Sequence, residues 1–385
     1  MDFNEIAKIC YDFYDKNILV KSKPTNSEWT NLAAILATLD SKNFRVLSIA
    51  TGSKCLSEKQ LPLDGSFVHD SHAEILARRC FLRYVYNEMH QVTKSENYQS
   101  GDASIIPKSS GEKRRLKEDT NSVKRIKTED DEEDIHRTGA KCVPNGLIQD
   151  TKEKGVSYHT TGVVRTKPGR GDPTISMSCS DKIAKWLILG IQGSLLSNLL
   201  AKPIYLSAIV IGKCPFSNEC IERALINRSK AFTCKNSDYK LTIPVIGQSN
   251  LYFKESKLVK LPEYADSEVN SDLKACPNSV CWSYGLIDKP LFVLVKGFLQ
   301  GASVKNLKKN SNFPPICKYY FYSRFEQIFS KLNSESSIRK CYSEAKQIAC
   351  EYNEAKEEFF KIYSDWIRTN QEKYYKFVLK YIKTF

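Results

Sequence analysis

At 385 residues the chain can form one large domain or two of medium size, and 41% apolar with 11% aromatic residues suffice for a sizeable core. Its 58 Lys and Arg against 44 Asp and Glu leave a formal charge of +14, which points to a polyanionic partner, nucleic acid being the commonest. No run approaches the ~18 apolar residues of a membrane span, and MDFNEIAKIC lacks the apolar stretch of a secretion signal, so no membrane partner is expected. The 13 Cys then read as reduced thiols of a protein of the nucleus or cytoplasm; without a C-x-x-C pair, and with five His in all, they do not form a zinc finger.

Residues 3–15 and 28–39 carry helical apolar spacing, and FRVLSIATG (44–52) reads as a strand ending at Gly52. DSHAEILARRCFLRYVY (70–86) opens a helix whose buried stripe is Ile75, Leu76, Phe81, Leu82 and Val85. From 93 to 155 the chain turns polar and charged, the composition of a disordered insert between residues 1–92 and 156–385. Within it, KRRLKEDTNSVKRIK (113–127) has the two basic clusters of a bipartite nuclear import signal, or is a plain charged linker. Beyond it a strand-like VSYHTTGVVRTK leads into the turn PGRGDP (168–173). A helix over 181–200, a strand over 203–212 and a helix in SNECIERALIN follow. LFVLVKG (291–297) reads as a strand, and Lys/Tyr-rich amphipathic helices fill 316–383. Strands alternating with helices around one insert indicate a single α/β domain with a helical C-terminal layer.

The chemistry sits at His72-Ala73-Glu74. A zinc deaminase needs an imidazole on the metal and, one helical step away, a carboxylate that is not a ligand. That carboxylate takes a proton from zinc-bound water and passes it to the ring nitrogen beside the carbon under attack. The tripeptide alone is better read as a core-facing His with a surface Glu, and the flanking segments reverse that preference. Cys179, in SMSCSDKIAKW, stands just before a helix, where the dipole helps hold a thiolate. It could also be a buried thiol at a helix start.

Together with GDASIIP, VVRTKPGRGDPTISMSCSDKIAKWLILGIQGSLLS, PIYLSAIVIGKCPFS and SDWIR, these segments resemble the catalytic domain of the adenosine deaminases acting on RNA. They resemble most closely the eukaryotic tRNA-specific members that modify tRNA-Ala. The resemblance runs from about residue 20 to 370 and implies a cytidine-deaminase-like three-layer α/β fold. It implies zinc ligation by His72 and Cys179, with Glu74 as proton shuttle. In the family a strand leads into Pro-Cys-Gly-Asp-Ala-Ser-Ile, whose Cys is the third ligand. Here Ser100 holds that position before Gly101-Asp102-Ala103-Ser104-Ile105, and the polar HQVTKSENYQS precedes it instead of an apolar strand. A neutral hydroxyl is a poor zinc ligand beside a thiolate. No spacing favours Cys55 or Cys80 as a substitute.

The resemblance makes PGRGD the base-flipping loop, with Lys167 beside it and Gly171 and Asp172 at the positions for close backbone approach and for the vacated space. It also implies an inositol hexakisphosphate held by Arg78, Arg79, Lys182, Lys185, Trp186, Gln192, Tyr342, Lys346, Tyr352 and Lys356. Lys185 replaces the relatives' Arg, keeping charge without bidentate geometry. The implied reaction converts adenosine to inosine on the 3′ side of the anticodon of tRNA-Ala. No room precedes the catalytic region for double-stranded RNA-binding domains, which favours tRNA over long duplexes, and DNA is not expected as a partner. An inactive RNA-binding protein on the same scaffold, or a defective splice product, is the alternative. A free-nucleoside or cytidine deaminase is disfavoured by the GRGD loop, the basic charge and the C-terminal layer.

Overall fold

The computed structural model describes residues 1–94 (apart from 20, 21, 41 and 62), 140–151 (apart from 145), 160–168, 174–265, 273–302, 312–332 and 341–379. Ser100, Gly171, Asp172 and the basic clusters of 113–127 lie outside these residues. In chain order the first elements are α1 (Phe3–Asn17), β1 (Glu28–Trp29), β2 (Leu32–Thr38), β3 (Phe44–Thr51), β4 (Ser53–Cys55), β5 (Asp70–His72) and α2 (Ala73–Val92). Next come β6 (Lys141–Cys142), β7 (Arg165–Thr166), α3 (Cys179–Leu189), α4 (Gly193–Ser197), β8 (Ala208–Ile211), α5 (Asn218–Leu225) and β9 (Val245–Gln248). The last third holds α6 (Lys257–Ala265), β10 (Lys274–Ala275), β11 (Asn278–Ser283), β12 (Leu291–Val295), β13 (Phe298–Leu299), α7 (Lys318–Leu332), α8 (Tyr342–Gln347), α9 (Cys350–Ile362) and α10 (Gln371–Tyr374).

An antiparallel sheet of order β13-β12-β11-β3-β2 forms the middle layer. Strand alternation divides its side chains between two faces. Val46, Ile49, Val280 and Val293 pack under α1 with Tyr14 and Ile18. Ala50, Cys281, Phe292 and Leu294 pack with Leu76, Ala77 and Cys80 of α2, and α7 adds Phe321, Tyr322 and Phe325 to the same cluster. The fold is thus a three-layer α/β domain with a C-terminal helical layer. β8 and β9 pair in parallel beside it, and no helix among the described residues is long and apolar enough to cross a membrane.

Several elements depart from the sequence reading. Residues 28–39 do not form a helix: LAAILAT is β2, paired antiparallel with β3 from Leu32↔Thr51 to Thr38↔Phe44. Local helix propensity yields there to a hairpin closed by Asp40, whose carboxylate accepts from the backbone N–H groups of Lys42 and Asn43 at 3.0 and 2.8 Å. The helix expected over 181–200 breaks at Gly190, whose φ of 73° belongs to the left-handed region, and resumes as α4. Among the described residues of 156–167 the expected strand is limited to Arg165–Thr166, and that of 203–212 to Ala208–Ile211. Within the expected insert, residues 95–139 lie outside the description, whereas 140–151 fold onto β7. There Lys141 pairs with Thr166, and Asp150 clamps Arg165 bidentately at 2.6 and 2.7 Å.

Candidate active site and cationic cavity

Gly52, between β3 and β4, has a φ of 148°, and a Cβ there would lie 2.1 Å from the carbonyl oxygen of Ser71. That close approach lets its own carbonyl accept from the Ala73 N–H at 3.0 Å and fixes the start of α2. His72 occupies the N-cap position, yet its imidazole makes no cap bond. Nδ1 lies 2.8 Å from Asp70 Oδ1 instead, which leaves Nε2 as the donor available to a metal. Glu74 stands in the first turn of α2, where the helix dipole favours its charge.

Asp70 is the hub. Its carboxylate accepts from Lys167 Nζ at 3.0 Å through Oδ1, and from Ser176 Oγ at 2.9 Å and Lys182 Nζ at 2.5 Å through Oδ2. Burial alone would raise its pKa, but Lys182, Lys167 and His72 hold it well below the usual carboxylate range. Lys167 Nζ also comes within 3.8 Å of Glu74 Oε1. Its burial disfavours the ammonium, yet Asp70, Cys179 and Glu74 raise its pKa. Cys179 opens α3, capped by Ser178 Oγ accepting from Asp181 N–H at 3.1 Å. Burial, with Glu74 beside it, pushes the Cys179 thiol up. A thiolate there therefore needs a cation.

Glu74 in the first turn of α2, Lys167 just after β7 and Cys179 at the start of α3 thus come together, with His72 at the end of β5 tied to Lys167 through Asp70. Among the described residues, however, no three His, Cys, Asp or Glu side chains form a metal-binding group. Cys55 faces Asp70 and Ser176 across the β4–β5 pair, and Cys80 is fully buried in the core next to Cys281. Among the described residues, His72 and Cys179 alone do not make up the three protein ligands of a catalytic zinc with bound water.

On the far side of Asp70 opens a cavity of about 350 Å³. Arg78, Arg79, Lys182, Lys185, Trp186, Gln192, Tyr342, Lys346, Tyr352 and Lys356 all line it. Arg78 and Arg79 each donate through Nε to a backbone carbonyl, Ile191 at 2.6 Å and Ile316 at 2.7 Å. Lys185 meets the rings of Trp366, Phe360 and Phe359 at 5.1, 5.4 and 5.9 Å. Burial first, then Lys356, Lys346, Arg78 and Lys182, drives its pKa well down. Lys356 falls to about 8 through burial and Lys346. Asp70 is the only carboxylate among the described lining residues. So dense a cation cluster fits a ligand with many anionic oxygens. Sequence reasoning missed Asp70, Lys318 and Tyr375. Asp70 was legible as an acid two residues before His72, whereas Lys318 and Tyr375 carry no signal separating them from solvated neighbours.

The chain matches the adenosine-deaminase (editase) domain family over residues 48–120 and 97–370. It belongs to that family and is, by family, an adenosine deaminase. Within the family it is similar to the mouse tRNA-specific adenosine deaminase 1, at 31% identity over 97% of this chain and 99% of the relative. The Drosophila melanogaster protein of the same name is 31% identical over 92% and 93%. The double-stranded RNA-specific editase Adar of Drosophila melanogaster is 29% identical over 77% of this chain but only 44% of its own length.

Proposed function

We propose that the protein is built to convert adenosine to inosine next to the anticodon, on its 3′ side, in tRNA-Ala. The observation that carries this reading is the grouping of Glu74, Lys167 and Cys179, with His72 joined through Asp70, in a chain that aligns over nearly its whole length with relatives named for tRNA. Glu74 is the group that holds and moves the proton, and Lys167 keeps positive charge beside it. His72 and Cys179 are the residues that would hold zinc, which in this class supplies water activation. Incubating the chain with tRNA-Ala and sequencing for inosine tests the reading directly.

A second reading concerns this chain as it stands: a scaffold that binds RNA without deaminating it. The alignment to the mouse relative runs over 499 positions, more than this chain of 385 residues can fill. The family match comes in two pieces that overlap at 97–120, where Gly101-Asp102-Ala103-Ser104-Ile105 takes up the motif after Ser100. The break in the family match, with Ser100 before Gly101, supports a lost segment bearing the third ligand; the alignment length says only that the mouse relative is longer. Two protein ligands leave the tetrahedron incomplete, so the purified chain is expected to hold zinc substoichiometrically. Metal analysis finding one tightly held zinc per chain would require a substitute ligand.

The lined cavity is proposed to take inositol hexakisphosphate. The sign of one mutation separates a filled cage from a bare one. With a polyanion bound, Lys356→Ala and Lys182→Ala remove phosphate contacts and lower the thermal midpoint of the whole domain. Without one, Lys356→Ala relieves repulsion and leaves the midpoint unchanged or higher. Phosphate released on acid extraction gives the independent check. An unmoved midpoint for Lys356→Ala with no released phosphate would leave the cavity without a polyanion.

A further inference from the structure

The phenol of Tyr375 also lines the cavity. Tyr375 is tied down through its carbonyl, which accepts from the Ser343 N–H at 3.0 Å. Lys346 Nζ stands 4.4 Å from its ring centroid and Lys318 Nζ 4.7 Å. Tyr342 meets the ring edge-on at 5.3 Å. Arg79 from α2, Tyr352 and Lys356 from α9 and Thr369 are the other polar groups around it. None of these is a carboxylate, and Asp70, the acid among the described lining residues, is already shared by Lys167, Lys182 and His72.

We propose that Tyr375 is an ionisable counter-charge of the cage: a phenolate between Lys318 and Lys346 when no polyanion is bound, and a neutral hydroxyl donating to a phosphate oxygen when one is. The inference rests on the cavity being a polyphosphate site. Among the described lining residues no carboxylate is free to pair with these two ammonium groups, and the phenol against which both pack can supply an anion. Burial opposes its ionisation, but Lys318, Lys346, the Thr369 hydroxyl and Lys356 outweigh that and bring its pKa to about 7. A folded value below the usual ~10 of a phenol means that the phenolate prevails as pH rises above about 7. Phosphates entering the cage neutralise the same lysines and repel a phenolate. Tyr375 then takes a proton from solvent, re-forming its O–H bond, with no other reactant involved.

The test is a pH titration of the near-ultraviolet tyrosinate band in the intact chain freed of bound phosphate, with and without inositol hexakisphosphate. Wild type should show one tyrosine ionising at about pH 7, lost in Tyr375→Phe and suppressed at saturating hexakisphosphate. Lys318→Met should move that ionisation to higher pH, which keeps the test decisive if the Phe variant folds poorly. Calorimetry at about pH 8, in buffers of differing ionisation enthalpy, should find about one fewer proton taken up on binding by Tyr375→Phe. The proposal falls if no tyrosine ionises early, if Tyr375→Phe retains the early ionisation, or if bound hexakisphosphate leaves it unchanged. Early ionisation that depends on Tyr375, in a chain that never binds hexakisphosphate, would sink the polyphosphate reading while upholding the phenolate between the two lysines.

Discussion

Replacing Asp70 with Ala is expected to cost about 3–5 kcal/mol of unfolding free energy, the range for stripping one partner from a buried ion pair. The reason is what the substitution strands. The ammonium groups of Lys167 and Lys182 lose the carboxylate that lies 2.5–3.0 Å away, and His72 loses the acceptor that fixes its ring. Lys167 is itself buried and cannot turn to water. Asp12→Ala removes an exposed pair with Lys8 on α1 and should change stability by less than about 0.5 kcal/mol. Urea unfolding of the two variants measures the contrast. The pH dependence follows from the direction of the Asp70 shift. Its folded pKa is depressed, so its stabilisation is fully present above the unfolded value of ~3.9 and is lost as pH falls towards the folded one. An Asp70→Ala variant as stable as wild type at neutral pH would show that the hub is not a source of stability.

The second large effect concerns the join at Ser100–Gly101. Restoring an apolar strand that ends in Pro-Cys before Gly101 is expected to produce stoichiometric zinc binding and inosine formation on tRNA-Ala, against little or none for the chain as written. Ser100→Cys alone should recover far less, because a ligand without its supporting element is not held within the tolerance that metal geometry demands. Zinc analysis and inosine sequencing on all three chains decide the matter. Robust deamination by the chain as written, or full rescue by the single substitution, would refute a lost segment. A gene with no coding sequence at the join would instead make this a diverged pseudoenzyme.

How far the sequence could be read varied with the scale of the interaction. α2 was legible because its buried stripe and its His-x-Glu entry lie within one contiguous run, and Ile75, Leu76, Phe81, Leu82 and Val85 are all buried. β2 was not, since an Ala- and Leu-rich heptapeptide is a good helix former and only its hairpin partner β3 makes it a strand. β11, NSVCWS, was missed altogether, although it stands at the centre of the sheet between β12 and β3. Its short alternation of small and apolar residues carries no turn signal strong enough to mark it. In the site, His72 and Glu74 stood out by their His-x-Glu spacing, and Cys179 by its place before a helix and by the resemblance. The ties that orient them did not, because Asp70 to Lys167 and to Lys182 are pairings between residues 97 and 112 positions apart.

The same long reach dictates an order of assembly. Arg79 donates to the carbonyl of Ile316, 237 positions downstream, and Tyr374 donates to Glu58 across 316. Loops of that length close late, after local helices and hairpins have formed. During synthesis the five-stranded sheet with α1 and α2 can begin to gather before the helices from residue 318 onward leave the ribosome. Until they arrive, the cationic face of α2 stays in water, where its charges need no partner. The cavity closes only when residues 58–79 meet 316–374, and a polyanion captured there would act as a latch on that meeting.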